Sequence, residues 1–154
     1  MTDRSAVHDT FTLDRHYDAA PARVFRAFAD PDAKALWFTG PPEFKQEDVS
    51  FDFREGGRET TTTVTPDGQR FGFVATYTDI VPDQRIVYTY EMTMDGRRIS
   101  VSVATVELRA ARGGTDLVIT EQGVYLDGLD QPQFRREGTE QLLGRLGKSL
   151  TQDV

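Results

Sequence analysis

The sequence has no cysteine and only two histidines, His8 and His16. The first absence removes disulfides, thiolate metal sites and cysteine nucleophiles. The second leaves any zinc site to be built mainly from carboxylates, an atypical ligand set. His16 has the outward parity of its strand and His8 lies in the opening residues, so no Ser-His-Asp arrangement is suggested. No metal and no cofactor is expected. Long apolar runs are also missing. None approaches the roughly 18 residues of a membrane span, and the polar start "MTDRSAVHDT" does not read as a signal peptide. Basic residues are outnumbered: 18 Lys and Arg against 25 Asp and Glu give a formal charge of −7. Such a chain repels phosphate backbones and anionic lipid, so no nucleic-acid or membrane partner is expected. The expected location is the cytoplasm. The glycine pairs in "REGGRE" and "ARGGT" are followed by no helix, so they read as hairpin turns and not as phosphate loops.

What the chain has is aromatic bulk in alternating register. Its 154 residues include ten Phe, five Tyr and one Trp, enough for one core without staples. Residues 1–9 read as a loose tail and residues 10–154 as one domain. "TFTLDRHYD" (10–18) places Phe11, Leu13, Arg15 and Tyr17 on one face of a strand. Two short helices follow. Pro21 suits the first turn of one; Asp30 ends it and caps the next, which Leu36, Trp37 and Phe38 finish before Gly40-Pro41-Pro42. Strands are then expected over 49–53, 58–64, 70–81, 85–94, 98–110 and 115–126, joined by turns too short for parallel crossovers. "PQFRREGTEQLLGRLGKSL" (132–150) is one long amphipathic helix weakened by Gly138, Gly144 and Gly147.

The fold class is therefore α+β. A curved antiparallel sheet of about six or seven strands has one apolar face to bury, and the C-terminal helix is the only element long enough to cover it. A curled sheet and a straight helix cannot touch along their whole length, so a cavity is expected between them.

This order resembles the helix-grip superfamily (START-like, SRPBCC). Within it, the chain is similar to the family named for the activator of the 90-kDa heat-shock protein ATPase. The matching stretches are "RHYDAAPARVFRAFADPDAKALWFTGPP", "DFREGGRE", "YTDIVPDQRIVYTY" and "GGTDLVITEQG". Two positions depart from the pattern. Ala75 stands where many members carry glycine, and Gly138-Thr139 stands where the last helix often reads Gly-Trp, which implies a roomier cavity. The resemblance brings a link to stress response and a chaperone partner. The chaperone activators, however, also carry a separate N-terminal domain for which these residues hold no counterpart.

The first functional reading is a binding module for a hydrophobic or amphipathic small molecule. Trp37 and Phe38 would close one end of its cavity, beside a Gly-Pro-Pro loop. Phe51, Phe53, Phe73, Tyr77, Tyr88, Tyr90 and Met92 would form the sheet wall, and Phe134, Leu142 and Leu146 the helix wall. A buried tyrosine hydroxyl needs a partner, in the protein or in the ligand. Glu121 shares parity with Leu117 and Ile119, so it is expected to face inward, where burial raises a carboxyl pKa and pairing is needed; Arg15 is the candidate partner. Glu121 is also the one candidate catalytic group. With a tyrosine it would do acid–base work of the kind the related cyclases and aromatases imply. The remaining alternative is a co-chaperone acting through its surface. An unpaired sheet edge can also join two copies across a two-fold axis, giving a homodimer.

Overall fold

In a computed structural model of the protein, residues 4–152 are described. The elements run β1 (Ala6–Tyr17), α1 (Pro21–Ala29), α2 (Pro31–Ala35), β2 (Lys45–Phe51), β3 (Arg58–Val64), β4 (Arg70–Val81), β5 (Arg85–Met94), β6 (Arg97–Ala111), β7 (Gly114–Leu126) and α3 (Pro132–Ser149). The seven strands form one antiparallel sheet in the order β1-β7-β6-β5-β4-β3-β2. The first two strands thus lie on opposite edges, and α1 and α2 carry the chain between them. The β5–β6 and β6–β7 turns place Asp95-Gly96 and Arg112-Gly113 at positive φ, as two-residue hairpins require.

The helices follow their local signals. Pro21 opens α1, and the Asp30 carboxylate accepts from the Asp32 and Ala33 amides at 2.8 and 3.1 Å to cap α2. The second helix stops sooner than the sequence predicts. Regular helix ends at Ala35, and Leu36–Phe38 continue as a turn, with the Trp37 and Phe38 amides reaching back to the Lys34 carbonyl. The Trp37 indole donates to the Ala27 carbonyl at 2.8 Å, locking α2 against α1. On the inner face of the sheet, α3 is held by the Tyr17 hydroxyl, which donates to the Leu143 carbonyl at 2.7 Å. Leu143 and Leu146 are buried there with Phe11, Leu13, Val24, Phe28, Val106, Leu117 and Ile119, each contributing about 1.5–3 kcal/mol by leaving water.

Two strands differ from expectation by more than a residue. β1 begins at Ala6, four residues before the predicted start, with Ala6–Asp9 paired to Gly123–Leu126. Ala6, Val7 and His8 are exposed and Asp9 is half-buried, so no alternation announces them. Residues 1–3 of the expected tail lie outside the described residues. β2 runs over Lys45–Phe51, not 49–53, because it is an exposed edge strand with a bulge between Glu47 and Ser50 and Asp48 at φ 52°. Phe53 therefore sits beyond the strand, ahead of the Gly56-Gly57 turn. A Cβ on Gly57 would lie 2.1 Å from the Asp52 carbonyl oxygen, so only glycine fits. Gly56 and Gly57 also exchange backbone hydrogen bonds with Tyr77 at 2.8 and 3.0 Å. The turn thereby fixes a tyrosine of the inner face.

Candidate functional site

Strand parity builds the wall. On β4 and β5 the pairs Phe73–Met92, Ala75–Tyr90 and Tyr77–Tyr88 stand directly opposite one another, facing α3. Their rings join a belt of aromatic contacts. It runs from Trp37 to Phe38 (centroids 5.7 Å apart), Phe73 (5.2 Å), Tyr90 (5.2 Å), Tyr88 (5.9 Å), Tyr77 (5.7 Å) and Phe53 (4.9 Å). The preferred edge-on and tilted geometries leave ring faces and edges toward the interior.

Between this belt and α3 lies a cavity of about 300 Å³. Of the residues expected there, Trp37, Phe38, Phe53, Phe73, Tyr77, Tyr88, Tyr90, Met92, Glu121, Phe134 and Leu142 line it. Phe134 is 58% exposed and stands at the rim, not under the helix. Two residues lie elsewhere. Leu146 is fully buried in the core beside Leu143, because the helix stripe turns from the cavity onto the sheet by that point. Phe51 lies beyond Lys34, whose ammonium sits 5.1 Å from its ring centre, and it lines a separate cleft of about 80 Å³.

Two buried polar clusters flank the aromatic belt. At one, Lys34 of α2 donates to Glu59 of β3 at 2.5 Å and to the Tyr77 hydroxyl at 3.2 Å, and Tyr77 itself donates to Glu59 at 2.5 Å. The ammonium also lies 4.4 Å from the Phe38 ring centre. Burial pushes the Lys34 pKa down, opposed by Glu59, and pushes the Tyr77 pKa well up, aided by Glu59. At the other, the Tyr90 hydroxyl donates to Glu121 and accepts from Arg135 at 3.2 Å. Arg135 pairs with Asp130 and donates to the Ser100 hydroxyl at 3.0 Å. Glu121 is 4% exposed, and burial raises its pKa, with the Tyr90 hydrogen bond and then Arg135 opposing. Thr139 Oγ1 lies 2.9 Å from the Arg135 carbonyl and only 3.4 Å from Glu121, so its single proton belongs mainly to the carbonyl. Tyr88 differs from its neighbours: its hydroxyl has no hydrogen-bond partner among the described residues. Burial, and then Glu121, raise its pKa well above the ordinary value.

The expected Arg15–Glu121 pair does not form. Phe11 is the register partner of Glu121, whereas Arg15 stands opposite Leu117 and donates to the Asp14 carbonyl at 2.7 Å. Sequence reasoning missed Lys34, Glu59, Arg135 and Arg145 at the site. The signals were faint: Glu59 shares parity with Thr61 and Thr63, both in the cavity wall, and Lys34 lies one helical turn before Trp37. Among the described residues, no cluster of three or more His, Asp or Glu is placed to hold a metal ion.

A family model described as Activator of Hsp90 ATPase homolog 1-like protein matches residues 18–151. A structure from Rhizobium leguminosarum is 44% identical, with a TM-score of 0.94, over 99% of this chain and 100% of that one. Another, from Rhizobium loti, is 41% identical with a TM-score of 0.88 over 94% and 99%. An AHSA1-like protein from Aeromonas hydrophila shares the fold at 20% identity, with a TM-score of 0.68 over 92% of each chain. No curated protein matches.

Proposed function

The chain belongs to the Activator of Hsp90 ATPase homolog 1-like family, and from the site built on that fold we propose that it is a cytoplasmic binding protein for a hydrophobic or amphipathic small molecule. The observation that carries this reading is the aromatic-walled cavity beneath α3, with the Tyr88 hydroxyl in its wall left without a hydrogen-bond partner among the described residues. A mostly apolar concave site with a few convergent polar groups is the usual form of a small-molecule site. The ligand's body would lie on the Phe38–Tyr77 belt and one of its polar atoms would meet Tyr88.

The test is thermal unfolding against a panel of hydrophobic metabolites. A ligand at a hundred times its Kd stabilises by about 2.7 kcal/mol. Gly138 lines the cavity and a Cβ there meets nothing within 4 Å, so Gly138→Trp starts without a clash and is expected to place its indole in the ligand's space. The variant is expected to fold and to lose the ligand-induced shift. A panel that never shifts the wild type, or a shift untouched in Gly138→Trp, overturns the proposal.

A second reading, acid–base catalysis by Glu121 and Tyr90, draws support from the burial of Glu121 without a directly bonded cation. Under it, Glu121→Gln would abolish turnover of a bound ligand while leaving its affinity within a few-fold.

A further inference from the structure

Among the described residues, four charged side chains line the cavity: Lys34, Glu121, Arg135 and Arg145. Three have strong partners in the protein. Lys34 pairs with Glu59, Arg135 with Asp130, and Glu121 accepts from Tyr90. Arg145 is the exception. Its Nε donates to the Trp37 carbonyl at 3.3 Å, and its two terminal nitrogens have no acceptor among the described residues. A half-buried guanidinium without a carboxylate is unexpected in a chain of net charge −7, where acids outnumber bases.

The bond to Trp37 does not neutralise Arg145; it aims it. By anchoring Nε to the Trp37 carbonyl, it holds the planar fork at that end of the cavity and leaves the two terminal N–H edges to receive a planar anion. Exposed Gln46 and Gln141 line the cavity as well and mark its open side. At the other cluster stands Glu121, beside Thr139, six residues back along α3 or roughly 9 Å at 1.5 Å per residue. The cavity is therefore polarised, with an unpaired cation on one side and a buried carboxyl on the other. Arg135 on the Glu121 side is already committed to Asp130, so a ligand's carboxylate is favoured at the Arg145 side. The cavity volume stands at the lower end of small-molecule sites, which limits the body to a short chain or a small ring system.

We infer, resting on the binding reading above, that the ligand is a small anionic amphipath, a carboxylate with an aliphatic or aromatic body. Arg145 holds its headgroup, and the body lies on the aromatic belt toward Tyr88.

The experiment uses matched pairs that differ only in charge: octanoate against octanamide, and 3-phenylpropanoate against 3-phenylpropanamide. Fluorescence of the one tryptophan, Trp37 in the cavity wall, reports occupancy, and thermal shift reports it independently. The acids are expected to bind the wild type about tenfold more tightly than the amides, equivalent to about 1.4 kcal/mol. Arg145→Gln should erase that preference by weakening the acids far more than the amides, and Arg145→Lys should restore part of it. Equal binding of acid and amide overturns the inference and leaves the binding reading standing, as does a preference that survives Arg145→Gln. If neither acids nor amides bind, and no other member of the metabolite panel does, both fall together.

Discussion

The two polar clusters beside the cavity use the same residue types to different ends. At the Lys34 cluster, each group has its complement inside the protein: ammonium to carboxylate, phenol to the same carboxylate, ring faces over the ammonium. At the Glu121 cluster, the cation is used elsewhere. Arg135 is tied to Asp130 and Ser100, and reaches Glu121 only through the Tyr90 hydroxyl. A closed ion pair is a joint. It ties α2 to β3 and β4 and holds Trp37 and Phe38 at the end of the cavity. A carboxyl bonded only to hydroxyls can still change protonation and still accept from a ligand. The contrast separates the part of the wall that shapes the cavity from the part able to respond to its contents.

The largest expected effect tests the joint. Lys34→Met leaves Glu59 buried at 4% exposure with no cation, a defect that costs about 3–5 kcal/mol. Replacing both members, Lys34→Met with Glu59→Leu, removes the uncompensated charge and should recover most of that loss. Urea unfolding of the single and double variants reads this directly. A mild single variant, or a double variant no better than the single, would show that the two clusters are alike.

The next effect concerns the open cluster and depends on pH. Burial raises the Glu121 pKa above its ordinary value of 4.5, so the folded state holds this proton more tightly than the unfolded chain. Stability due to Glu121 is therefore full below the unfolded pKa. It declines as pH rises through the raised folded value and is level above it. Glutamine does not titrate. The wild type should lose ground to Glu121→Gln across that window and hold a constant gap beyond it, each unit of separation between the two pKa values being worth about 1.4 kcal/mol. Denaturant unfolding of both proteins over a pH series measures the gap. A gap that stays flat, or grows toward acid, would place Glu121 among the closed groups.

These clusters also mark where the sequence could and could not be read. β3, β4 and β5 begin and end where alternation and the Pro-Asp-Gly, Pro-Asp and Asp-Gly turns place them, because parity and turn geometry are properties of the local backbone. The aromatic wall was legible for the same reason. The edges of the sheet were not. Ala6–His8 and Lys45–Ser50 are held by ladder hydrogen bonds while their side chains are exposed, so no buried alternation marks them. The partners of the buried carboxylates were equally hidden. Arg15 shares the parity of the inner face yet stands four residues along β1 from the position opposite Glu121. Lys34 and Arg135 come from helices, and their long side chains reach the sheet across tertiary distances that no local period encodes.

The smallest expected effect sharpens the comparison most, because it sets two tyrosines of one belt against each other. Tyr77 and Tyr88 face each other across the β4–β5 ladder with ring centres 5.7 Å apart. Only Tyr77 bonds to the protein through its hydroxyl. Removing that hydroxyl takes a donor from a buried carboxylate, so Tyr77→Phe should cost about 1.5–3 kcal/mol. Tyr88→Phe removes a hydroxyl that faces the cavity and has no hydrogen bond to the described residues to lose. The change in stability should stay within about 0.5 kcal/mol. Ligand affinity should show the reverse order: Tyr88→Phe weakens a ligand that hydrogen-bonds there, while Tyr77→Phe, once folded, leaves it nearly unchanged. Parallel melts of the two variants, with and without a ligand from the metabolite panel, decide it. A Tyr88→Phe variant that loses stability but no affinity would mean that the hydroxyl is satisfied within the empty wall, and the case for a polar atom of the ligand meeting it would fail.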